Sequence, residues 1–136
     1  MSTMFVFNPF TNNFDLIQDI TNLQGSDGDI RETGFNIANN QIVEADVTGF
    51  SFSNGVVRGF SAVATVYIDA TANLYEKFQL DAIQKGSDWF MSINSEGDNS
   101  SVVFSITNTG QLRYTSANYS GFVSGVIKFR AITTSV

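Results

Sequence analysis

The clearest indication of the fold class is Phe60–Asp69, FSAVATVYID. Small or apolar residues occupy every second position of it, namely Phe60, Ala62, Ala64, Val66 and Ile68. The intervening positions are mixed in character. A period of two places alternate side chains on opposite faces of a β-strand. The sequence therefore predicts a strand here, with the first set of residues in the core.

The same alternation recurs further along the chain. Expected core positions, in addition to those above, are Leu74, Phe78, Leu80, Trp89, Met91, Ile93, Val102, Phe104, Ile106, Leu112, Ile127, Phe129 and Ala131. Weaker strand candidates lie at 35–38 and 42–48, and a helix over Asn73–Gln84 stays open as a minority interpretation. Short strands separated by polar turns are typical of sandwiches and barrels. The fold class predicted is all-β, a jelly-roll-like antiparallel β-sandwich preceded by an extended N-terminal arm.

Three segments read as turns between these strands. Asn54-Gly55 separates Phe50–Ser53 from Val56–Phe60 and is a strong hairpin signal, because both turn positions favour positive φ. Asn108-Thr109-Gly110 predicts a second hairpin loop, and Asn94–Asn99 a polar turn.

The first 20 residues differ from the rest in composition. They carry four of the thirteen phenylalanines (Phe5, Phe7, Phe10 and Phe14) and the only proline, Pro9. These residues either begin the first core strand or form a separate arm. The polar stretch Thr21–Glu32 favours the arm, and a large exposed apolar patch marks an interface. We expect a docking arm over residues 1–20, a polar linker over 21–34 and a β-sandwich body over 35–136.

Composition argues against several function classes. The chain has no Cys and no His, which removes disulfides, thiolate metal sites and the commonest general base. Arg31 stands against seven acidic residues in residues 1–55, whereas residues 56–136 hold six basic and six acidic side chains. An acidic balance repels phosphate backbones, so no nucleic-acid partner is expected. There is no apolar run long enough for a membrane helix and no visible signal peptide.

Few residues suggest chemistry. Asp27, Asp29 and Glu32 are spaced as in a calcium loop but lack its later ligands. A solvated acidic turn is therefore favoured, and cation binding at Asp27–Glu32 stays open. Trp89 is assigned to the core in preference to a sugar platform. Tyr114, Tyr119 and Phe122 flank a Ser/Asn/Gly loop suited to surface contacts, although ordinary turn packing explains them equally well. No catalytic, metal or cofactor residues are predicted.

Several segments carry a family resemblance. FNPFTNNFD (Phe7–Asp15), LYEKFQLDAIQKGSDWFMS (Leu74–Ser92), VVFSITNTGQLRYTS (Val102–Ser116) and GVIKFRAITTS (Gly125–Ser135) resemble segments of small virion structural proteins of tailed bacteriophages. Asn12-Asn13 departs from the glycine turn expected in that group, and residues 30–70 carry no resemblance. The resemblance implies a small β-sandwich on a phage particle, usually a homotrimer.

Three hypotheses follow from the residues and the resemblance together. The first is a non-enzymatic capsid decoration (cement) protein that docks on the major capsid protein through Phe5, Phe7, Pro9, Phe10 and Phe14. It is preferred because the 136-residue chain shows no shaft repeat, and it places the protein in the virion, assembled in the host cytoplasm.

The second is a tail-fibre or baseplate receptor-binding module that contacts a host glycan or protein through Tyr114, Tyr119 and Phe122. The third, a glycan-cleaving enzyme, rests only on abundant carboxylates, and we expect no enzymatic activity.

Overall fold

The computed structural model describes residues 27–136 in full and the backbone of residues 4–8 and 13–17. The described residues form ten strands and no helix. Their bounds are β1 Met4–Asn8, β2 Asn13–Ile17, β3 Ile30–Asn36, β4 Ala45–Ser51, β5 Val57–Asp69, β6 Leu74–Lys85, β7 Asp88–Gly97, β8 Val103–Ile106, β9 Gln111–Thr115 and β10 Ser124–Ser135. No helix among these residues is long and apolar enough to cross a membrane.

Strands β3 to β10 form two antiparallel sheets. The large sheet has the order β3-β10-β5-β6-β7, and the small sheet has the order β4-β9-β8. The central pairing of the large sheet is long, because β10 runs beside β5 from Ser124↔Asp69 to Ser135↔Val57. The all-β sandwich expected from the sequence is confirmed.

The core lies between the two sheets, where aromatic rings from one sheet meet rings from the other. Phe129 of β10 stacks on Phe50 of β4 with ring centroids 4.2 Å apart. Phe78 of β6 meets Phe104 of β8 edge-on at 4.9 Å. Such ring pairs add roughly 0.5–1.5 kcal/mol each beyond the apolar area that they bury. These contacts hold the two sheets in one packing arrangement.

The alternation predicted from the sequence is confirmed on most strands. The residues expected on the inner faces of β5 and β10 are all buried, namely Phe60, Ala62, Ala64, Val66, Ile68, Ile127, Phe129 and Ala131. On β7 the pattern weakens toward the end of the strand. Trp89 is buried, but Ile93 is 40% exposed. Ile93 therefore lies on the inner face but is only partly covered.

The prediction of a hairpin at Asn54-Gly55 was wrong. The turn exists, with the amides of Val56 and Val57 donating to Ser53 O. The strands on either side belong to different sheets, since β4 pairs with β9 and β5 pairs with β6 and β10. Neither Asn54 nor Gly55 has positive φ. The chain crosses between sheets here because core burial of Phe52 and Phe60, whose rings stack at 3.9 Å, outweighs the local turn preference.

The loop Asn108–Gly110 is a hairpin, as predicted. It joins β8 to β9 with Ile106 opposite Leu112. Gly110 has φ +86°, and a Cβ at this position would clash with the carbonyl of Phe52. Only glycine satisfies both conditions without strain.

Three other segments differ from the expectation. Asn73–Gln84 is extended within β6, so the helical alternative was wrong. The Asn94–Asn99 segment is a turn only after Gly97, because β7 pairs with β6 as far as Gly97↔Glu76. Residues 30–34, assigned to the linker, lie in β3 at the edge of the large sheet.

The N-terminal segment contributes two paired strands. Phe7 lies opposite Phe14 and Phe5 lies opposite Leu16 in an antiparallel β1-β2 pair. This pair forms a two-stranded sheet of its own, separate from the large and the small sheet.

Candidate binding groove on the large sheet

The outer face of the large sheet, which points away from the small sheet, carries ordered rows of side chains. One row runs Lys128, Thr65, Lys77 and Glu96 across β10, β5, β6 and β7. The next row runs Arg130, Val63, Gln79 and Asn94. Opposite residues of neighbouring strands share a face and lie about 5 Å apart. The outer face therefore presents polar and charged groups side by side.

Three adjoining cavities line this face and form one groove. The first, of about 550 Å³, is lined by Thr65, Tyr67, Tyr75, Lys77, Glu96, Val126 and Lys128 among others. The middle cavity, of about 250 Å³, shares Thr65 and Lys128 with the first. The third, of about 480 Å³, shares Glu32, Val63 and Arg130 with the middle one. These shared residues make the groove continuous along β5 and β10.

The first cavity ends at two aromatic rings. Tyr67 and Tyr75 lie opposite each other on β5 and β6, and their rings stack with centroids 4.9 Å apart. Tyr75 is 58% exposed. Partial burial raises the pKa of the Tyr67 phenol, and the Asp69 carboxylate and Tyr75 raise it further. The Tyr67 phenol is therefore harder to ionise than a free tyrosine, and its hydroxyl is hydrogen-bonded with Tyr75 at the aromatic end of the groove.

Two cations lie side by side on the groove floor. Lys128 and Arg130 are two residues apart on β10, so both point outward, about 7 Å from one another. Neither forms an ion pair with any residue that the structure describes. Lys77, by contrast, lies 3.9 Å from the Glu96 carboxylate, and both side chains are largely exposed. The Lys128–Arg130 pair thus gives this part of the groove an excess of positive charge.

Neutral polar groups complete the floor. Gln79 Nε2 donates to Ser61 Oγ at 2.8 Å, and Thr65 contributes a hydroxyl between Lys128 and Lys77. Glu32 lines the middle and third cavities beside Arg130. The groove therefore combines an aromatic end, hydroxyl and amide groups, two adjacent cations and aliphatic side chains such as Val63 and Val126. Such a mixture suits an extended polar ligand better than an enclosed apolar one.

The sequence had pointed to another loop for receptor contacts. Tyr114 is 2% exposed, and its hydroxyl accepts the Ala38 amide at 3.0 Å. Tyr119 is half-buried and stacks on Phe122, and its hydroxyl donates to Ser100 O at 2.5 Å. Tyr114 therefore belongs to the core, and a contact role stays a prediction for Tyr119 and Phe122 only.

The predicted arm residues lie outside what the structure describes in detail. Pro9 and Phe10 fall outside the described residues, and only the backbone of Phe5, Phe7 and Phe14 is given. Their role in docking remains a prediction.

The other candidate residues of the sequence have structural contacts. Asp29 Oδ1 accepts from the amide and the hydroxyl of Thr133, at 2.8 and 2.7 Å. The described residues hold no cluster of three or more His, Cys, Asp or Glu side chains around a common point. Trp89 is in the core, as predicted, and its indole N–H donates to Asn54 Oδ1 at 2.8 Å.

The groove was not found from the sequence, although two signals for it were present. Tyr67 and Tyr75 flank the short turn between β5 and β6, which places them opposite each other. Lys128 and Arg130 occupy alternate positions of the last strand, on its polar face. Their joint significance depends on β5 being the neighbour of both β6 and β10, and local patterning does not specify that pairing.

Comparisons with known proteins add little to this description. The sequence matches no protein-family model and no curated protein. A solved structure with a similar arrangement is the tailspike protein of Acinetobacter phage vB_ApiP_P1, at 13% identity and a TM-score of 0.43. The match covers 80% of this chain and 21% of the tailspike chain, so the chain spans about a fifth of that protein's length. A similarity of this size says nothing about what the chain binds.

Proposed function

We propose that this protein is a non-enzymatic structural component of a tailed-phage virion. The first candidate is a capsid decoration protein that docks on the major capsid protein through residues 1–20 and stabilises the head. The resemblance of Phe7–Asp15 and of the strands in the second half to small virion proteins supports this role. Assembly would take place in the host cytoplasm.

One structural observation carries the docking part of the proposal. Strands β1 and β2 pair with each other in a sheet of their own, and neither pairs with a strand of the large or the small sheet. A segment that adds no strand to the body is a candidate for contact with another protein. Burying one Phe side chain contributes roughly 1.5–3 kcal/mol, so four of them would offset several kcal/mol of the cost of association.

Removal of residues 1–20 tests this role. We expect the truncated protein to keep its β-sheet circular dichroism and to be lost from purified particles. The full-length protein with Asn12→Ala/Asn13→Ala serves as a control that changes the same segment but retains its phenylalanines. Wild-type occupancy of particles by the truncated protein would refute docking through this segment.

The copy number separates a decoration protein from a tail component. Quantitative mass spectrometry of virions should give a fixed simple ratio to the major capsid protein, and a particle reconstruction should place the density on the head. A small fixed number of copies at the tail would instead identify the second candidate.

The second candidate is a tail-appendage module that adsorbs to the host surface. The groove favours it, because an open groove with cations and an exposed aromatic ring suits a ligand at the virion surface and has no evident role in a clamp between capsid subunits. The isolated protein should then bind host cells and compete with phage adsorption. This candidate would be excluded if the protein, at concentrations well above those of the phage, neither bound host cells nor reduced phage adsorption.

We propose that the protein forms a trimer under either candidate function. It is supported by Ile83 and Phe90, which lie opposite each other on β6 and β7 and are 55% and 57% exposed. Sedimentation equilibrium of the full-length protein should report a trimer, and Phe90→Ser should lower the association constant. A monomer at all accessible concentrations, and on the particle, would contradict it.

A further inference from the structure

We propose that the groove on the large sheet binds an acidic polysaccharide, with uronate-type carboxylates held by Lys128 and Arg130 and a sugar ring packed at Tyr75. The proposal deepens the second candidate function and rests on it only for the origin of the polysaccharide. Binding by the isolated protein and position on the virion are separate measurements, so either can fail without the other.

The dimensions of the groove fit a chain and not a single small molecule. The aromatic end at Tyr67 and the far end at Ser61 are six residues apart on β5, which is roughly 20 Å at about 3.3 Å per residue. The three cavities along this line share residues at each junction. An extended polymer can therefore contact the aromatic end and the cations simultaneously.

Charge is the argument for an acidic ligand. The whole chain has a formal net charge of −6, yet Lys128 and Arg130 point into the groove without an ion-pair partner among the described residues. Like charges about 7 Å apart on one face repel each other, and an anion lying between them would relieve this repulsion. The arginine guanidinium can bind a carboxylate through two parallel hydrogen bonds.

The acidic groups around the groove leave room for such an anion. Glu96 pairs with Lys77, and one carboxylate oxygen of Glu76 accepts from the Ser100 amide and hydroxyl on the inner side of the sheet. Asp81 lies beside Gln79 on β6, and Asp69 lies beyond Tyr67 at the end of β5. Glu32 alone shares the middle cavity with Lys128 and Arg130. One carboxylate against two cations leaves a positive site there.

The aromatic and neutral groups are the argument for a saccharide over an acidic peptide. A sugar ring has an apolar C–H face and a rim of hydroxyls. The exposed ring of Tyr75 can pack against the C–H face of the sugar, because a tyrosine ring offers an apolar face with a polar edge. The Thr65 hydroxyl and the Gln79 amide can hydrogen-bond to the sugar hydroxyls. None of the three groove cavities is an enclosed apolar pocket of the kind that anchors a peptide side chain.

Binding measurements on the full-length protein with three polymers test the proposal. Alginate is a uronic-acid polymer, dextran is a neutral polysaccharide of comparable length, and poly-L-glutamate carries carboxylates without sugar rings. We expect alginate to bind at least tenfold more tightly than either of the others at low salt, with an affinity that falls as salt rises. Equal binding of dextran would overturn the acidic requirement, and equal binding of poly-L-glutamate would overturn the saccharide.

Variants assign the binding to the groove. Lys128→Ala/Arg130→Ala and, separately, Tyr75→Ala should each weaken alginate binding at least tenfold. The matched control is Lys85→Ala/Arg113→Ala, which removes the same number of positive charges outside the groove lining and should change the affinity less than twofold.

Two further results would overturn the proposal. One is an equal loss of affinity in the control, since that would mean non-specific attraction. The other is no binding of alginate by the wild-type protein at millimolar concentrations of sugar units. Unchanged circular dichroism of each variant, with a melting temperature within a few degrees of wild type, confirms that folding is intact.

Discussion

The two faces of the large sheet are built from the same strands and have opposite roles. On the inner face, Phe129 stacks on Phe50 of the other sheet with the ring planes within 2° of parallel, and Phe129 is 1% exposed. On the outer face, Tyr67 and Tyr75 also stack, but Tyr75 is open to solvent. The first pair joins two layers, whereas the second pair joins none. An aromatic pair therefore stabilises the fold in proportion to its burial, and the outer pair leaves one ring surface open to solvent.

The largest expected effect tests the burial difference directly. Phe129→Ala should lower the free energy of unfolding by about 3–5 kcal/mol, because it removes a ring and leaves a cavity between the sheets. Tyr75→Ala, the matched outer-face change, should cost about 1 kcal/mol or less. Urea denaturation followed by Trp89 fluorescence measures both. Similar losses for the two variants would show that the outer pair also supports the fold.

A smaller effect concerns two glutamates. Glu76 Oε1 accepts from the Ser100 amide at 2.9 Å and from its hydroxyl at 2.6 Å, and Ser100 is fully buried. Glu76→Ala leaves both donors without an acceptor and should cost about 1–3 kcal/mol. Glu96→Ala, on the exposed edge strand, should cost less than about 0.5 kcal/mol. The same denaturation series checks this, and a negligible effect of Glu76→Ala would mean that water replaces the carboxylate at Ser100.

The smallest expected effect is on the exposed ion pair. Lys77→Ala breaks the 3.9 Å contact to Glu96, whose partners are 52% and 78% exposed. Exposed pairs contribute about 0–1 kcal/mol, so the melting temperature should shift by no more than a few degrees. A large loss of stability would show that the outer face also stabilises the fold, which would contradict the difference described between the two faces.

Much of the sandwich could be predicted because its cause is local. In Phe60–Asp69 and Gly125–Ser135 the alternation of apolar and polar residues predicts which side chains are buried. That prediction requires no knowledge of the neighbouring strands. The hairpin at Asn54-Gly55 failed because a turn dipeptide does not specify which strand will pair with the residues that follow. Asn54 is instead held by Trp89 and by Asn108 O, 35 and 54 residues away.

The groove marks the other limit of prediction from sequence. From the sequence, Lys128 and Arg130 are predicted only as polar positions of the last strand, and Tyr67 and Tyr75 only as residues near a turn. They become one surface because β10 and β6 are both neighbours of β5. The β5–β6 pairing is a local hairpin, whereas β10 pairs with β5 across about 65 residues of chain, as at Phe129↔Ala64. Pairing at such separation is decided by the total buried area of the core and not by either segment alone.

The amino-acid sequence is enough to predict that the chain forms strands, which side of most strands is buried, and that thiol and imidazole chemistry is absent. Those properties follow from composition and from a period of two. The tertiary structure alone decided that the turn after β4 crosses between sheets, that Tyr114 is a core residue, and that two tyrosines and two cations share one groove. Which outer-face side chains lie together depends on which strands are neighbours, and strand order is set by the packing of the buried inner faces.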